Sequence, residues 1–213
     1  MGVCMTGISN TKNAGIILEV ATCIVANKAY LSEIDGQIGD GDHGNNMAKG
    51  FSMAADRIAA EDSLADGLSV LSDVLMTEIG GSMGPLYGMM FEDMAEAVRG
   101  ESIIDEVVFQ RMLEAGQQAV VNVGSAQIGD KTLLDTLSPA TEVFANTPGT
   151  FEERLAAAKA AAMAGRDSTQ DMIARIGRSS RLGERSRGVL DAGATSCCMI
   201  LCILVDNVSR RLA

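Results

Sequence analysis

The sequence predicts an all-α fold of about eight helices. Trp is absent, aromatic residues make up only 3% of the chain, and Pro occurs three times in 213 residues. Strands are enriched in aromatic and β-branched residues, whereas apolar residues recurring every three or four positions are typical of amphipathic helices. We expect one domain spanning residues 1–213, because a chain of this length suits a single buried core.

The apolar stripes place the helices in order along the chain. The first three stripes lie at 16–25, 47–58 and 64–79. Later segments with the same spacing lie around 86–99, 104–121, 133–146, 151–174 and 193–211. Pro85 follows a glycine-rich run near the start of a helix, where its missing N–H costs little.

Composition excludes several classes of partner. The formal net charge of −11 argues against nucleic acid, since binding its phosphates needs a surplus of Lys and Arg. It also argues against an anionic membrane surface. The first residues show no signal peptide, and Gly2 and Cys4 are interpreted as part of an ordinary start. No run of about 18 apolar residues is present, because Asp206 and Asn207 interrupt the last apolar stretch.

The cysteines indicate a reducing compartment. Their number is five, with no CxxC pair. Cys197, Cys198 and Cys202 follow an apolar helical pattern, so we interpret them as reduced core residues. We therefore expect a cytoplasmic protein.

Four connections are rich in glycine and carry charge, at 35–46, 80–88, 124–132 and 176–193. In a bundle of antiparallel neighbours, successive connections alternate between the two ends. These four are the first, third, fifth and seventh connections between the eight predicted helices, so we expect them together at one end. The connections near 61–63, 100–102 and 146–150 then lie at the opposite end.

The first of these connections predicts a metal site. Within ten residues it holds Asp35, Asp40 and Asp42 together with four glycines. Clustered carboxylates repel one another unless a cation neutralises them, and a hard cation with oxygen ligands, Mg²⁺ before Ca²⁺, fits best. An EF-hand is excluded because no register places Glu at its last position. The alternative is a solvated acidic loop in which Asp35 caps the next helix.

His43 is the single histidine of the chain and directly follows this acidic run. Its place at the start of a helix favours contact with a ligand or a phosphate over an incidental surface position. One histidine is too few for a zinc site, and no Ser-His-Asp set stands out.

The other three connections suit an anion. The run from Gly80 to Gly88 opens a helix, and such a loop presents free N–H groups, although tight helix packing also uses glycine. The segment ending Gly129-Asp130-Lys131 is not a P-loop, which needs Gly immediately before Lys.

The last connection places four arginines in 178–187 of an acidic chain. Arginine binds phosphate in a bidentate manner, and a solvated basic turn is the alternative. The segment 191–195 resembles the capped start of a helix.

Four segments carry a family resemblance: IGDGDHGNNM with the upstream Asp35, GGSMGPLYG, GDKTLLDTLSPA and GRSSRLGERSRGVLDAGATS. Together they resemble the L, or nucleotide-binding, subunit of dihydroxyacetone kinase, in family order and over essentially the whole chain. The resemblance implies an eight-helix antiparallel up-and-down barrel. It also implies that ADP or ATP is bound at one rim through two Mg²⁺ ions.

The resemblance also implies roles for individual residues. Asp35, Asp40 and Asp42 would hold both metal ions. The residues assigned to the nucleotide are His43, Gly44, Asn45, Asn46, Ser82, Met83, Gly124, Leu133, Arg178, Asp191 and Gly193. Among them, Asn46, Ser82 and Met83 would lie near the phosphates, and Gly124 and Leu133 near the adenine. No catalytic side chain beyond the metal site is implied.

Three positions depart from the family pattern. Met83 stands where the family usually has a small hydroxyl residue, which removes a possible hydrogen bond to phosphate. Ala192 stands where Pro is common, and Arg181 where many members carry Tyr. These changes leave the metal site unaffected, but they bear on how the nucleotide is bound and on which partner or substrate is used.

The implied activity is phosphoryl transfer to dihydroxyacetone, or a related short-chain ketose, on a separate K subunit. That subunit tethers the ketose through its own histidine, whereas this chain has only His43, so we expect it to need a partner. We also expect a homodimer. The nucleotide is recharged either by exchange with ATP or by a phosphotransferase-system protein. Two alternatives remain: a nucleotide-loaded regulatory subunit without kinase activity, and a metal-dependent phosphohydrolase.

Overall fold

A computed structural model describes residues 7–212, in which nine α-helices form the fold. The helices are α1 Gly15–Ala26, α2 Lys28–Ile38, α3 His43–Ala55, α4 Leu64–Glu78, α5 Met83–Val98, α6 Glu106–Val123, α7 Leu134–Asn146, α8 Phe151–Ser168 and α9 Ala192–Leu212. Two short antiparallel strands, β1 Gly7–Ser9 and β2 Ile103–Asp105, and two 3₁₀ segments, Thr169–Asp171 and Ser179–Ser186, complete the elements. The predicted all-α class is confirmed.

The first predicted helix is in fact two helices. α1 and α2 meet at Asn27 with a bend of 57°. The Asn27 side-chain amide donates a hydrogen bond to the carbonyl of Cys23, at 2.8 Å. Asparagine side chains that bond to nearby backbone groups compete with a continuous helix. Asp35 therefore lies inside α2, and from there its Oδ2 accepts a hydrogen bond from the N–H of His43, the first residue of α3, at 3.3 Å.

The helices contact one another in a ring that follows the chain. Contacts join α3 to α4 and continue in order to α9, while α1 packs against both α3 and α9. Phe109, Phe144 and Phe151 join α6, α7 and α8, with ring centroids 5.1 to 6.0 Å apart. Burying each such side chain contributes roughly 1.5–3 kcal/mol.

Side-chain caps mark helix starts opposite the glycine-rich connections. Ser63 and Thr150 form capping boxes at α4 and α8, and Asp105 accepts two backbone N–H bonds at the start of α6. Each cap of this kind stabilises its helix by roughly 1 kcal/mol. These three connections are the ones expected at the end away from the site.

Within residues 7–212, one helix is long and apolar enough to cross a membrane by length and composition. This is α9, and 67% of its apolar window is buried inside the protein, as expected for a core helix. The sequence-based expectation overlooked it because Asp206 and Asn207 interrupt the run. α1 and α2 pass the same test only as the bent pair.

The described cysteines are free thiols, as predicted. Cys197 and Cys198 are buried, while Cys202 is partly exposed. Cys4 and Gly2 lie outside the described residues.

Candidate functional site

The four glycine-rich connections meet at one cleft of about 270 Å³. This confirms the prediction from alternating connections. The residues with predicted roles that line the cleft are Asp35, Asp40, Asp42, His43, Asn46, Ser82, Met83, Leu133, Arg178, Asp191 and Gly193.

Three carboxylates converge at this cleft. Asp35, Asp40 and Asp42 each place one oxygen within 4.8 Å of the others. Asp35 is half-buried in the last turn of α2, whereas the other two are exposed. Negative charges this close favour a bound cation, and an all-oxygen set suits Mg²⁺.

Glycine allows the chain to fold over Asp35. A Cβ at Gly39 would collide with the Asp35 carboxylate, whose Cγ would lie only 3.0 Å away. Gly41 has a φ of 77°, which other residues rarely adopt. The turn between α2 and α3 can therefore bring Asp40 and Asp42 back toward Asp35.

Arg178 reaches this cluster of three carboxylates from the fourth connection. Its guanidinium forms an ion pair with Asp40 and lies 3.8 Å from Asp42. The Arg178 side chain is 60% exposed, so the pair contributes at most about 1 kcal/mol to stability. Its significance is positional, because a guanidinium at this point can meet an anion held by a cation on the aspartates.

His43 is tied into the protein by a chain of hydrogen bonds. Its Nε2 lies 2.9 Å from Ser196 Oγ, which lies 2.7 Å from the Tyr87 hydroxyl. The Tyr87 hydroxyl also lies within 2.9 Å of the carbonyl of Gly193. Burial lowers the pKa of His43, against the opposing charge of Asp35. A largely neutral imidazole thus joins α3, α5 and α9 beneath the cleft, through Ser196 and Tyr87, which sequence reasoning missed.

Three helices start at the cleft, and the residue that directly precedes each of them provides no side-chain cap. At α3, α5 and α7, the residues Asp42, Ser82 and Leu133 precede the helix and none accepts a capping hydrogen bond. The first N–H group of α3, from His43, instead donates to Asp35 Oδ2 at 3.3 Å, and that of α7, from Leu134, donates to Thr132 Oγ1 at 3.2 Å. Of the three helix starts in the described structure, that of α5 has N–H groups open to another acceptor. An uncapped helix start at the cleft is suited to phosphate oxygens.

A buried carboxylate organises the third connection. Asp135 is only 2% exposed and accepts hydrogen bonds from the N–H groups of Gly129 and Thr132, at 2.5 and 2.7 Å. Asp135 was not predicted to have a role. Its position three residues after Thr132 is the spacing at which a side chain reaches back to a helix start, and this signal could have found it.

Three residues with predicted nucleotide roles do not line the cleft. Gly44 packs against α2, where a Cβ would collide with the carbonyl of Lys28 and lie 2.6 Å from the N of Ser32. Asn45 is exposed on α3. Gly124 follows α6, and a Cβ there would lie 3.3 Å from Leu86. The structure gives Gly44 a packing role.

Asp191 directly precedes α9 and caps it, as the predicted capping segment requires. Its Oδ1 accepts a hydrogen bond from the N–H of Ala194 at 2.6 Å, and its own N–H donates to Thr169 Oγ1 at 3.0 Å. Burial raises the pKa of Asp191 from 3.8 to about 6, against the hydrogen bond from Ala194 and the charge of Lys131. The carboxyl is thus neutral in mildly acidic solution.

This raised pKa predicts a pH-dependent stability. Because the folded pKa exceeds the unfolded one, the contribution of Asp191 is present at low pH and is lost as pH rises from about 4 to about 6. In Asp191→Asn, the amide oxygen keeps the cap but does not titrate. Urea unfolding of both proteins in EDTA should show wild type losing stability relative to Asp191→Asn across that interval. A difference independent of pH would contradict the assignment.

Comparison with known proteins places this site in a family. The family model for the DAK2 domain matches residues 37–206. The ADP-binding subunit DhaL of PEP-dependent dihydroxyacetone kinase 2 from Listeria innocua is 32% identical over 203 residues, covering 92% of this chain and 94% of that protein. The ADP-binding subunit DhaL of a PTS-dependent dihydroxyacetone kinase from Lactococcus lactis is 35% identical over 188 residues, covering 87% and 91%.

The chain belongs to the DhaL family. This DhaL-family chain also shares its fold with a solved structure of the dihydroxyacetone kinase of C. freundii, in complex with AMP-PNP and Mg²⁺. The TM-score is 0.69 at 23% identity, and the match covers 97% of this chain but 36% of that one. The predicted resemblance is confirmed.

Proposed function

We propose that this DhaL-family chain is the ADP- or ATP-binding subunit of a dihydroxyacetone-type kinase. The observation that carries the proposal is the cluster of three carboxylates, Asp35, Asp40 and Asp42, beside the uncapped start of α5 in one cleft. Carboxylates suit Mg²⁺ and free N–H groups suit phosphates. Two relatives named as ADP-binding subunits support this interpretation.

The residues divide the work by their chemistry. Asp35, Asp40 and Asp42 would hold two Mg²⁺ ions, which neutralise charge on the transferring phosphoryl group. Arg178 and the N–H groups at the start of α5 would orient the phosphates. The buried side chain of Leu133 would contact the base.

Local charge explains how an acidic protein can take a polyanion. The whole chain carries −11, which disfavours a nucleotide at long range. Bound metal ions are often the largest local charges and reverse the field of a site. Arg178 adds a positive charge at the same point. We therefore expect nucleotide binding to depend on the metal.

The acceptor would come from another protein. His43 is the single histidine and is bonded to Ser196. A K subunit holding dihydroxyacetone or a related ketose supplies the missing part. The relatives' names, PEP-dependent and PTS-dependent, support recharging of bound nucleotide by a phosphotransferase-system protein. A cytoplasmic location and a homodimer complete the proposal.

A reconstituted assay tests this function. The chain is mixed with a K subunit, dihydroxyacetone, Mg²⁺ and ATP, or with phosphoenolpyruvate and the phosphotransferase-system proteins in place of ATP. We expect phosphorylated ketose only when both subunits are present. Bound nucleotide without product under either donor would indicate a regulatory subunit instead. Phosphate release by the chain alone would indicate a phosphohydrolase.

A further inference from the structure

Lys131 is a buried cation in the third connection. It is 1% exposed and has a φ of 63°, a conformation that residues other than glycine rarely adopt. Its Nζ donates hydrogen bonds to the carbonyls of Ser186 and Val189, both at 2.6 Å, and of Met172 at 3.3 Å. Three acceptors satisfy the three donors of an ammonium group.

All three acceptors lie in the segment 172–189, which overlaps the fourth connection and carries Arg178. This segment has glycines with positive φ at Gly177, Gly183 and Gly188. Its buried side chains are few, namely those of Ala174 and Ser186. A segment with little apolar burial opens easily, so polar ties decide where it lies.

Other polar ties also hold this segment. The N–H of Gly188 donates to the carbonyl of Gln170 at 2.7 Å, and Arg178 forms an ion pair with Asp40. Ala174 bonds to Ser186 within the connection, at 2.9 Å. One backbone bond, from Arg175 to Asp130 at 3.1 Å, also reaches the third connection. Among residues 7–212, Lys131 alone bonds to both ends of the segment, at Met172 and at Val189.

A buried ammonium is costly unless it is fully hydrogen-bonded. Burial lowers the pKa of Lys131, and the negative charge of Asp191 opposes this shift. A methionine of similar length would fill the same space but could not bond to the carbonyls. Packing alone would therefore not require a charged side chain at position 131, whereas hydrogen bonding to the three carbonyls does.

We propose that Lys131 is a positioning residue that holds the connection carrying Arg178 over the aspartates. It contacts neither metal nor phosphate in this role and acts through the backbone at Met172, Ser186 and Val189. This inference rests on the proposed function, since the affinity for Mg-ADP is what the position of Arg178 should affect.

The test compares Lys131→Met with Lys159→Met. Lys159 is a matched control because its Nζ bonds Asp206, at 2.6 and 2.7 Å, between α8 and α9 and away from the cleft. For Lys131→Met we expect roughly 10- to 100-fold weaker binding of Mg-ADP, because apparent affinity falls with the fraction of molecules in the competent conformation. Lys159→Met should bind within about twofold of wild type.

Two further readouts separate positioning from general destabilisation. Hydrogen exchange in Lys131→Met should be faster within 172–189 and unchanged in α3, α5 and α7. Binding of Mn²⁺ without nucleotide should not weaken, since the aspartates lie on other elements and lose only the competing charge of Arg178. Lys131→Arg keeps a cationic donor, and should bind Mg-ADP more tightly than Lys131→Met.

The outcomes that overturn the inference are distinct. Unchanged Mg-ADP affinity with unchanged exchange would show that Lys131 does not position the connection. Exchange that rises throughout, together with lost Mn²⁺ binding, would show a general structural role. If Lys131→Met does not fold, wild-type affinity and exchange in Lys131→Gln, whose shorter neutral side chain cannot reach all three carbonyls, would overturn it. Failure of the wild-type protein to bind Mg-ADP would instead reject the proposed function. Hydrogen exchange within 172–189 would then still test whether Lys131 holds this segment in place.

Discussion

Replacing Asp40 and Asp42 together with Asn is expected to abolish Mg²⁺-dependent ADP binding while leaving the helical fold intact. These two carboxylates are exposed and lie within 4.8 Å of Asp35. Neutral amides cannot supply the charge that a hard cation requires. We expect at least roughly 100-fold weaker binding, or about 2.7 kcal/mol. Calorimetric titration of ADP in the presence of Mg²⁺ measures the effect, and circular dichroism monitors the fold.

The matched control removes two negative charges elsewhere. Glu114 and Glu142 are exposed on α6 and α7, so Glu114→Gln with Glu142→Gln changes the net charge equally. This variant should bind ADP as wild type does. Equal affinities in all three proteins would show that the aspartates hold no metal needed for binding. Equal losses in both variants would attribute the effect to net charge.

Replacing Gly44 with Ala is expected to give the largest loss of stability among the glycine substitutions near the cleft. The added methyl group would meet the backbone carbonyl of Lys28, the N–H of Ser32 and the hydroxyl of Ser32. Backbone cannot move aside as a flexible side chain can, so α2 and α3 must separate. Overpacking of this kind costs about 1–3 kcal/mol. Urea unfolding measures the loss in the free energy of unfolding.

Gly15→Ala is the control for this substitution. Gly15 also lies in a helix, and a Cβ there would meet no atom within 4 Å. Its stability should stay within about 1 kcal/mol of wild type, in the stabilising direction, because Ala favours helix more than Gly. If Gly44→Ala were as stable as Gly15→Ala, close packing of α2 on α3 would be refuted. Separation of these helices should also displace Asp35 and weaken metal binding.

Patterns that act along one element could be predicted from the sequence. Apolar spacing located the helices, and the alternation of connections brought four segments to one cleft. The cluster of three carboxylates was predictable because its members lie within eight positions, from Asp35 to Asp42. The bend at Asn27 was missed because a single side-chain bond to the backbone breaks an otherwise continuous apolar stripe.

Contacts between distant positions could not be predicted in this way. His43 bonds to Ser196, 153 positions away, and Lys131 bonds to Val189, 58 positions away. Neither pair has a spacing rule, because such distances depend on how whole helices pack. The same reason explains Gly44, whose neighbour Lys28 belongs to a different helix. Sequence resemblance assigned it to the nucleotide, whereas the structure shows the contact that excludes a side chain.

The most direct test of the central claim is a calorimetric titration of the wild-type chain with ADP, after removal of bound metal and nucleotide. One titration is made in Mg²⁺ and one in EDTA. A cleft that holds the nucleotide through metal on Asp35, Asp40 and Asp42 predicts saturable binding of one ADP per chain in Mg²⁺, and none in EDTA. Equal binding in EDTA, or no binding in Mg²⁺, would contradict the account.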